Sequence, residues 1–130
     1  MQDFAKQAVE IARAEYQCEL DFSLESIRQI DVVLEKIHLQ FQKAPIAERE
    51  LSRVVLTWGG YVGVVLMRRF GGTWNSDSSK AGPNTYPLQW KEQEAVPVMW
   101  CLQQIRHGAK ESVAKKIDEL VGRIEAGEIV

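Results

Sequence analysis

The sequence has few of the residues from which metal sites and disulfide scaffolds are built. Its 130 residues include only two histidines and two cysteines. Neither His38 nor His107 has another histidine or a cysteine three or four residues away, and Cys18 and Cys101 form no C-x-x-C pair. The sequence therefore predicts no metal site and no cofactor, and it excludes a disulfide-stapled fold.

Long apolar runs and a strong charge of one sign are also missing. The apolar run at 62–67 is far too short to span a bilayer, and the first 17 residues are charged throughout, without the apolar segment of an export signal. The net charge is −2, which gives no bulk attraction to nucleic acid or to an anionic membrane. We therefore expect a cytoplasmic protein with reduced cysteines that binds neither nucleic acid nor membrane.

Motifs for catalysis and phosphate binding are absent as well. There is no G-K-[ST] loop, and the glycines of Gly59–Gly63 lie within a helical pattern rather than between a strand and a helix. Cys101 and His107 are six residues apart, so on a helix they face different directions and cannot form a nucleophile–base pair. Enzymes working through the polar loop at 75–85 remain an alternative, but the residues predict a protein that is not an enzyme.

What the chain does have is a central apolar stretch, residues 51–74, LSRVVLTWGGYVGVVLMRRFGGTW. Its apolar residues recur at three- and four-residue steps and cover most of the helical circumference, which predicts a buried helix over residues 47–70. Gly59 and Gly63 lie on one face of this helix, where a neighbouring backbone or ring can approach closely. Gly71 comes after Arg68-Arg69-Phe70, where it predicts a left-handed helix end.

The remaining chain predicts shorter elements around this helix. We expect a mostly helical α+β fold, in which three packed helices are followed by a small two-stranded β-hairpin and two C-terminal helices, within a single domain over residues 1–130. The piece around Trp74 would pair with the apolar segment Tyr86–Trp90. The predicted helices are 3–17, capped by Asp3; 23–43, capped by Ser23; 47–70; Val98–His107, with Pro97 in its first turn; and about 110–126.

Four tryptophans between residues 58 and 100 are the most unusual feature of the composition. In one interpretation they pack between hairpin and helices, and each indole N–H finds a partner. In the other they line a cleft that takes a partner's side chain or a small ligand. The candidate residues of that partner- or ligand-binding surface are Tyr61, Arg68, Arg69, Trp74 and Trp90, although the two arginines are also typical helix-end cations.

Several short motifs resemble those of a known group of domains. The segment Tyr61-Val62-Gly63-x-x-Leu66 followed by Gly71-Gly72-x-Trp74, with Asp21–Ile27 upstream and Pro97 downstream, is similar to small bacterial domains of unknown function, the DUF3806 group. The resemblance covers about residues 21–108. Val64 departs from it, because a glutamate is usual there.

The resemblance implies no established activity. Groups of this kind sometimes resemble immunity or accessory proteins of bacterial toxin systems, which is an analogy only. We therefore predict a non-enzymatic interaction protein whose partner is another protein, such as a toxin or effector, or a second copy of the chain in a homodimer. The alternative is a small-molecule-binding module that uses an aromatic cleft near the hairpin.

Overall fold

Residues 1–90 and 93–127 are described here from a computed structural model of the chain. Within these residues the protein forms five α-helices and three short β-strands. The helices are α1 (Gln2–Tyr16), α2 (Ile27–Lys43), α3 (Glu48–Phe70), α4 (Pro97–His107) and α5 (Val113–Glu125). The strands are β1 (Thr73–Trp74), β2 (Leu88–Trp90) and β3 (Gln93–Ala95), and short 3-10 helices at Leu24–Ser26 and Gly108–Glu111 precede α2 and α5.

The sheet is antiparallel in the order β1-β2-β3, and in the chain it lies between α3 and α4. Thr73 pairs with Gln89, and Leu88 pairs with Ala95. The predicted fold class is thus confirmed, and the predicted pairing of the Trp74 piece with the later apolar strand is also found. The sheet differs from the predicted two-stranded hairpin by one strand, β3, whose sequence Gln-Glu-Ala is short and has low β-propensity.

The centre of the molecule is the second half of α3. From Val55 to Leu66 the helix is buried, apart from half-buried Leu56, and its most enclosed side chains have no exposed surface. α1 packs against it through three small residues, Ala5, Ala8 and Ala12, and α4 covers another face. The predicted burial of the central helix is confirmed for this part, whereas the first turns of α3 are mostly exposed.

Glycines let the neighbours of α3 approach its backbone. A Cβ atom on Gly59 would lie 2.5 Å from the Cα atom of Val98 in α4, and one on Gly63 would overlap the six-membered ring of Trp74. The predicted close approach at this face is therefore present. Gly71 ends the helix with φ 81° and ψ −155°, so its φ is positive as expected, but it is not in the left-handed helical conformation.

α2 packs chiefly against α4 and α5 rather than closing a bundle with α1 and α3. A set of hydrogen bonds from α2 and α4 holds the start of α5. Asp31 accepts from Ser112 Oγ at 2.7 Å and from the backbone N–H of Ala114 at 3.1 Å, and Gln104 Oε1 accepts from the backbone N–H of Val113 at 2.9 Å. These bonds satisfy donors that a helix start leaves free.

The capping residues predicted for the first two helices differ in their outcome. Ser23 caps the short 3-10 helix Leu24–Ser26 that leads into α2, because its hydroxyl accepts from the backbone N–H of Ser26 at 3.2 Å, whereas the cap residue of α2 itself is Ser26. The prediction that Asp3 caps α1 is wrong: the helix begins at Gln2, the cap residue is Met1, and Asp3 lies in the first turn. Among the described residues, none of these helices is both long and apolar enough to cross a membrane.

Candidate functional site

The five residues predicted to form one binding surface do not line a common groove. Tyr61 has no exposed surface, and its hydroxyl accepts from the backbone N–H of Phe22 at 2.9 Å and shares a 2.7 Å hydrogen bond with Ser26 Oγ. Its ring also lies against that of Phe22, with centroids 4.9 Å apart, and burial raises the pKa of the phenol. Tyr61 therefore anchors the chain before α2, where a ligand cannot reach it.

Trp90 also has a structural role. Only 8% of it is exposed, and its Nε1 donates a 2.8 Å hydrogen bond to the carbonyl of Gly71. This bond ties β2 to the C-terminal end of α3. For Trp90, therefore, the first interpretation of the tryptophans applies: the ring is packed in the core and its indole N–H has a partner.

Arg68 and Arg69 are exposed at the last turn of α3. The guanidinium of Arg68 lies 4.1 Å from the ring centroid of Phe22, and that of Arg69 lies 5.6 Å from the ring of Phe70. Both line a shallow depression with Ser23 and Glu25. Stacking on aromatic rings and a place at the helix C-terminus account for both cations.

Trp74 lies in a groove of its own, which we call the aromatic groove. The groove has a volume of about 430 Å³ and lies between the start of α1, the middle of α3 and the chain on either side of the polar loop. Its lining residues, mostly half-buried and largely apolar, are Met1, Phe4, Leu56, Trp74, Asn75, Ser76 and Tyr86. The indole Nε1 of Trp74 is buried and has no hydrogen-bond partner among the described residues.

A larger groove of about 610 Å³, the interhelical groove, lies between α1, the end of α2 and the first half of α3. Apolar side chains form its floor and walls: Ile11, Tyr16, Ile37, Ile46, Val54 and Trp58. Tyr16 and Trp58 meet edge to face there, with ring centroids 6.1 Å apart. Apart from Ala47, the rest of the lining is polar or charged: Gln7, Glu15, Gln40, Arg49, Glu50, Arg53 and Thr57.

The interhelical groove was not predicted from the sequence. Each of its apolar residues was either a member of a helical stripe or, as for Ile46, part of a link between helices, and a stripe does not show where two helices diverge. Ile46 carried the available signal, because it is an isolated apolar residue between Pro45 and the charged start of α3.

Cys101 and His38 are both buried in the core of the protein. Cys101 has no exposed surface, and burial raises the pKa of its thiol far above the ordinary value, which disfavours the nucleophilic thiolate. His38 is buried, and its Nδ1 lies 2.7 Å from the carbonyl oxygen of Ile105. In the part of the chain that the structure describes, no three His, Cys, Asp or Glu residues are grouped closely enough to hold a metal ion.

Comparisons with protein-family models, with curated proteins and with solved structures find no match for this chain. The resemblance to the DUF3806 domains stays a prediction.

Proposed function

We propose that this chain is a non-enzymatic, cytoplasmic interaction protein, and that an amphipathic segment of another protein occupies the interhelical groove. The observation that carries the proposal is the groove's composition, an apolar floor with two aromatic rings beneath a charged rim. Protein interfaces have this anatomy, with an apolar centre that excludes water and a polar margin.

The floor supplies the kinds of residue on which binding energy concentrates. Trp58 is 2% exposed and packs edge to face against half-buried Tyr16, so Tyr16 is the ring that a partner can reach, and it loses little side-chain freedom on binding. Ile11, Ile46 and Val54 are half-buried, and a partner's aliphatic or aromatic side chain would cover the rest of them. Tryptophan, tyrosine and arginine are the residues enriched among interface hot spots.

The rim supplies charges that can select a partner. Arg49 and Arg53 lie one helical turn apart on α3, where they outnumber the neighbouring Glu50, while Glu15 lies on α1. A segment whose apolar anchors are flanked by an acidic residue on one side and a basic residue on the other would complement both walls.

The length of the groove favours a short segment. On α1 the lining runs from Gln7 to Tyr16, nine residues along the helix, which is about 13 Å at 1.5 Å per residue. This length corresponds to about two turns of a partner helix, enough for apolar anchors at positions i, i+3 and i+4. Under the resemblance to bacterial domains, a toxin or effector protein is the partner we propose first.

The test is photocrosslinking in cells of the source organism, followed by binding of the purified partner. A photoreactive phenylalanine replaces Val54 in the groove, and in a control it replaces Leu39, which is 52% exposed on α2 and lies outside the groove. We expect a specific adduct from position 54 and none from position 39. Val54→Arg should then weaken binding of the purified partner at least tenfold, whereas Leu39→Arg should leave it unchanged.

A partner that crosslinks equally from both positions would contradict the proposal, as would a Val54→Arg variant that folds and binds like the original chain. A partner that is a second copy of the chain would appear as an adduct of twice the mass. That result would support binding in the groove and identify a homodimer.

A further inference from the structure

We propose that the aromatic groove is a separate binding site for a small, neutral, apolar ligand that carries a hydrogen-bond acceptor, such as an aromatic ketone, ester or amide. The proposal goes beyond the protein–protein interaction proposed above, because the two grooves share no lining residue.

The apolar body of the ligand follows from the lining. Phe4, Trp74 and Tyr86 contribute aromatic rings, and Met1 and Leu56 contribute aliphatic surface. A volume of about 430 Å³ is within the range typical of small-molecule sites, which are mostly apolar with few polar groups. The methionine is unbranched and adapts its shape to an occupant.

The acceptor follows from Trp74. Its indole N–H is the buried donor without a partner in the part of the chain described, whereas the N–H of Trp90 is paired with a backbone carbonyl. A buried donor left unpaired is costly, and a ligand oxygen that accepts from it would remove that cost. The ring cannot simply turn away, because its six-membered part rests on the bare backbone of Gly63.

The neutrality of the ligand follows from the side chains around it. The groove is lined by apolar residues together with Asn75, Ser76 and the phenol of Tyr86, and its lining contains no Asp, Glu, Lys, Arg or His side chain. A charged ligand would lose its hydration there, and no side chain of the lining carries an opposite charge that would offset the loss. Because the indole nitrogen has no exposed surface, a ligand oxygen reaches it only by displacing a side chain that covers it.

The experiment compares two probes of nearly the same shape, acetophenone, which has a carbonyl, and ethylbenzene, which has none. Protein labelled with ¹⁵N-tryptophan is titrated with each, and the Trp74 indole resonance is identified by its loss in Trp74→Phe. We expect acetophenone to bind roughly fivefold more tightly, the equivalent of one neutral hydrogen bond, and to move the Trp74 indole proton downfield. Ethylbenzene should bind without that downfield shift.

Two variants separate the hydrogen bond from the apolar contact. Trp74→Phe should reduce the preference for acetophenone to none, while Phe4→Ala should weaken both probes alike and keep the preference. Trp100→Phe, which changes a tryptophan outside the groove, should change neither. Equal affinity of the two probes for the original chain, or no binding of either, would overturn the proposal even if a variant failed to fold.

The probe titration and the crosslinking experiment test the two grooves independently. Loss of the probe preference would leave the crosslinking at Val54 unaffected, and absence of a crosslinked partner would leave the titration unaffected.

Discussion

At the scale of single residues, the packing of α3 depends on positions that have no side chain. Gly59 lies against the backbone of Val98, and Gly63 lies against the ring of Trp74. Glycine in a helix interior costs about 1 kcal/mol relative to alanine, and here the close packing of α4 and of the indole offsets that cost. Gly122 in α5 is different, because a Cβ atom there would meet no atom within 4 Å.

These contacts predict opposite effects for the same substitution. Gly59→Ala should lower the free energy of unfolding by about 3 kcal/mol, because the backbone of Val98 cannot move aside as a flexible side chain can. Gly122→Ala should raise it by about 0.5–1 kcal/mol, since alanine is the better helix former and the space is open. Urea unfolding of the two variants and the original chain measures both values. Two variants of equal stability would contradict the packing described for Gly59.

The two thiols should react at very different rates. Cys101 has no exposed surface and burial raises its thiol pKa strongly. Cys18 is only half-buried, although desolvation and the Glu19 carboxylate also raise its pKa. With a thiol reagent such as DTNB at pH 8, we expect Cys18 to react in the native state and Cys101 to react only as the protein unfolds. Cys18→Ser should abolish the fast phase. A fast phase that persists in this variant would show that Cys101 is reachable.

At the scale of elements, α5 is held by its neighbours as well as by its own sequence. The Ser112 hydroxyl accepts from the backbone N–H of Lys115 at 3.2 Å, as an ordinary cap residue does. The two backbone N–H groups before it are capped from other helices: that of Ala114 by Asp31 of α2 and that of Val113 by Gln104 of α4. A cap supplied from another helix couples the formation of α5 to the docking of α2 on α4.

Removing the cap should therefore loosen the whole helix. Asp31→Ala leaves the N–H of Ala114 and the hydroxyl of Ser112 without their acceptor, and we expect a loss of about 1–3 kcal/mol of stability. Amide hydrogen exchange along α5 should accelerate more than exchange in α3. Asp118→Ala, which changes an exposed carboxylate on α5 itself, is the matched control and should be nearly neutral. Equal effects of both variants would argue against the cap.

Most elements could be predicted from the sequence, because their signals are local. The helical periods, Pro97 at a helix start and Gly71 at a helix end give the helices of the structure within a few residues. β3 could not be predicted, since three residues without apolar alternation become a strand only by pairing with β2. The cap of α1 was misplaced because Asp3, a good capping residue, lies two positions inside the helix.

At the scale of the whole molecule, the sequence was informative about burial but not about surfaces. Tyr61 and Trp90 were candidates for a binding surface, yet both are buried, because an aromatic residue on a helix or strand looks the same in sequence whether it faces a cleft or the core. Both grooves lie between elements that are distant in sequence. In the aromatic groove, for example, Phe4 of α1 and Tyr86 before β2 line the same space. A pattern of residues along one element contains no information on that divergence.

The molecule as a whole should lose stability in acid. Hydrogen bonds from Arg13, Ser23 and Lys116 lower the pKa values of Glu19, Asp21 and Glu111 below their ordinary 4.5, 3.8 and 4.5. Their stabilisation is therefore complete above those ordinary values, and it is lost as the pH falls through the lower values of the folded state, where the unfolded chain binds more protons.

Urea unfolding between pH 6 and pH 3 measures this loss. Glu19 and Asp21 are exposed and Glu111 is only half-buried, so we expect a modest decline in stability. Added salt should make this decline smaller, because it screens the two ion pairs. Glu19→Gln should lower stability at pH 6 and flatten the decline. If the variant follows the same acid profile as the original chain, the pair between Arg13 and Glu19 contributes nothing measurable.

The contact between Gly63 and Trp74 has a consequence for how such chains can diverge. The indole occupies the space that any larger residue at position 63 would need, so enlarging that position first would be harmful while the tryptophan remains. The order of change is thereby constrained: the ring has to shrink before the helix can gain a side chain. In a set of descendants, positions 63 and 74 should accordingly vary as a pair.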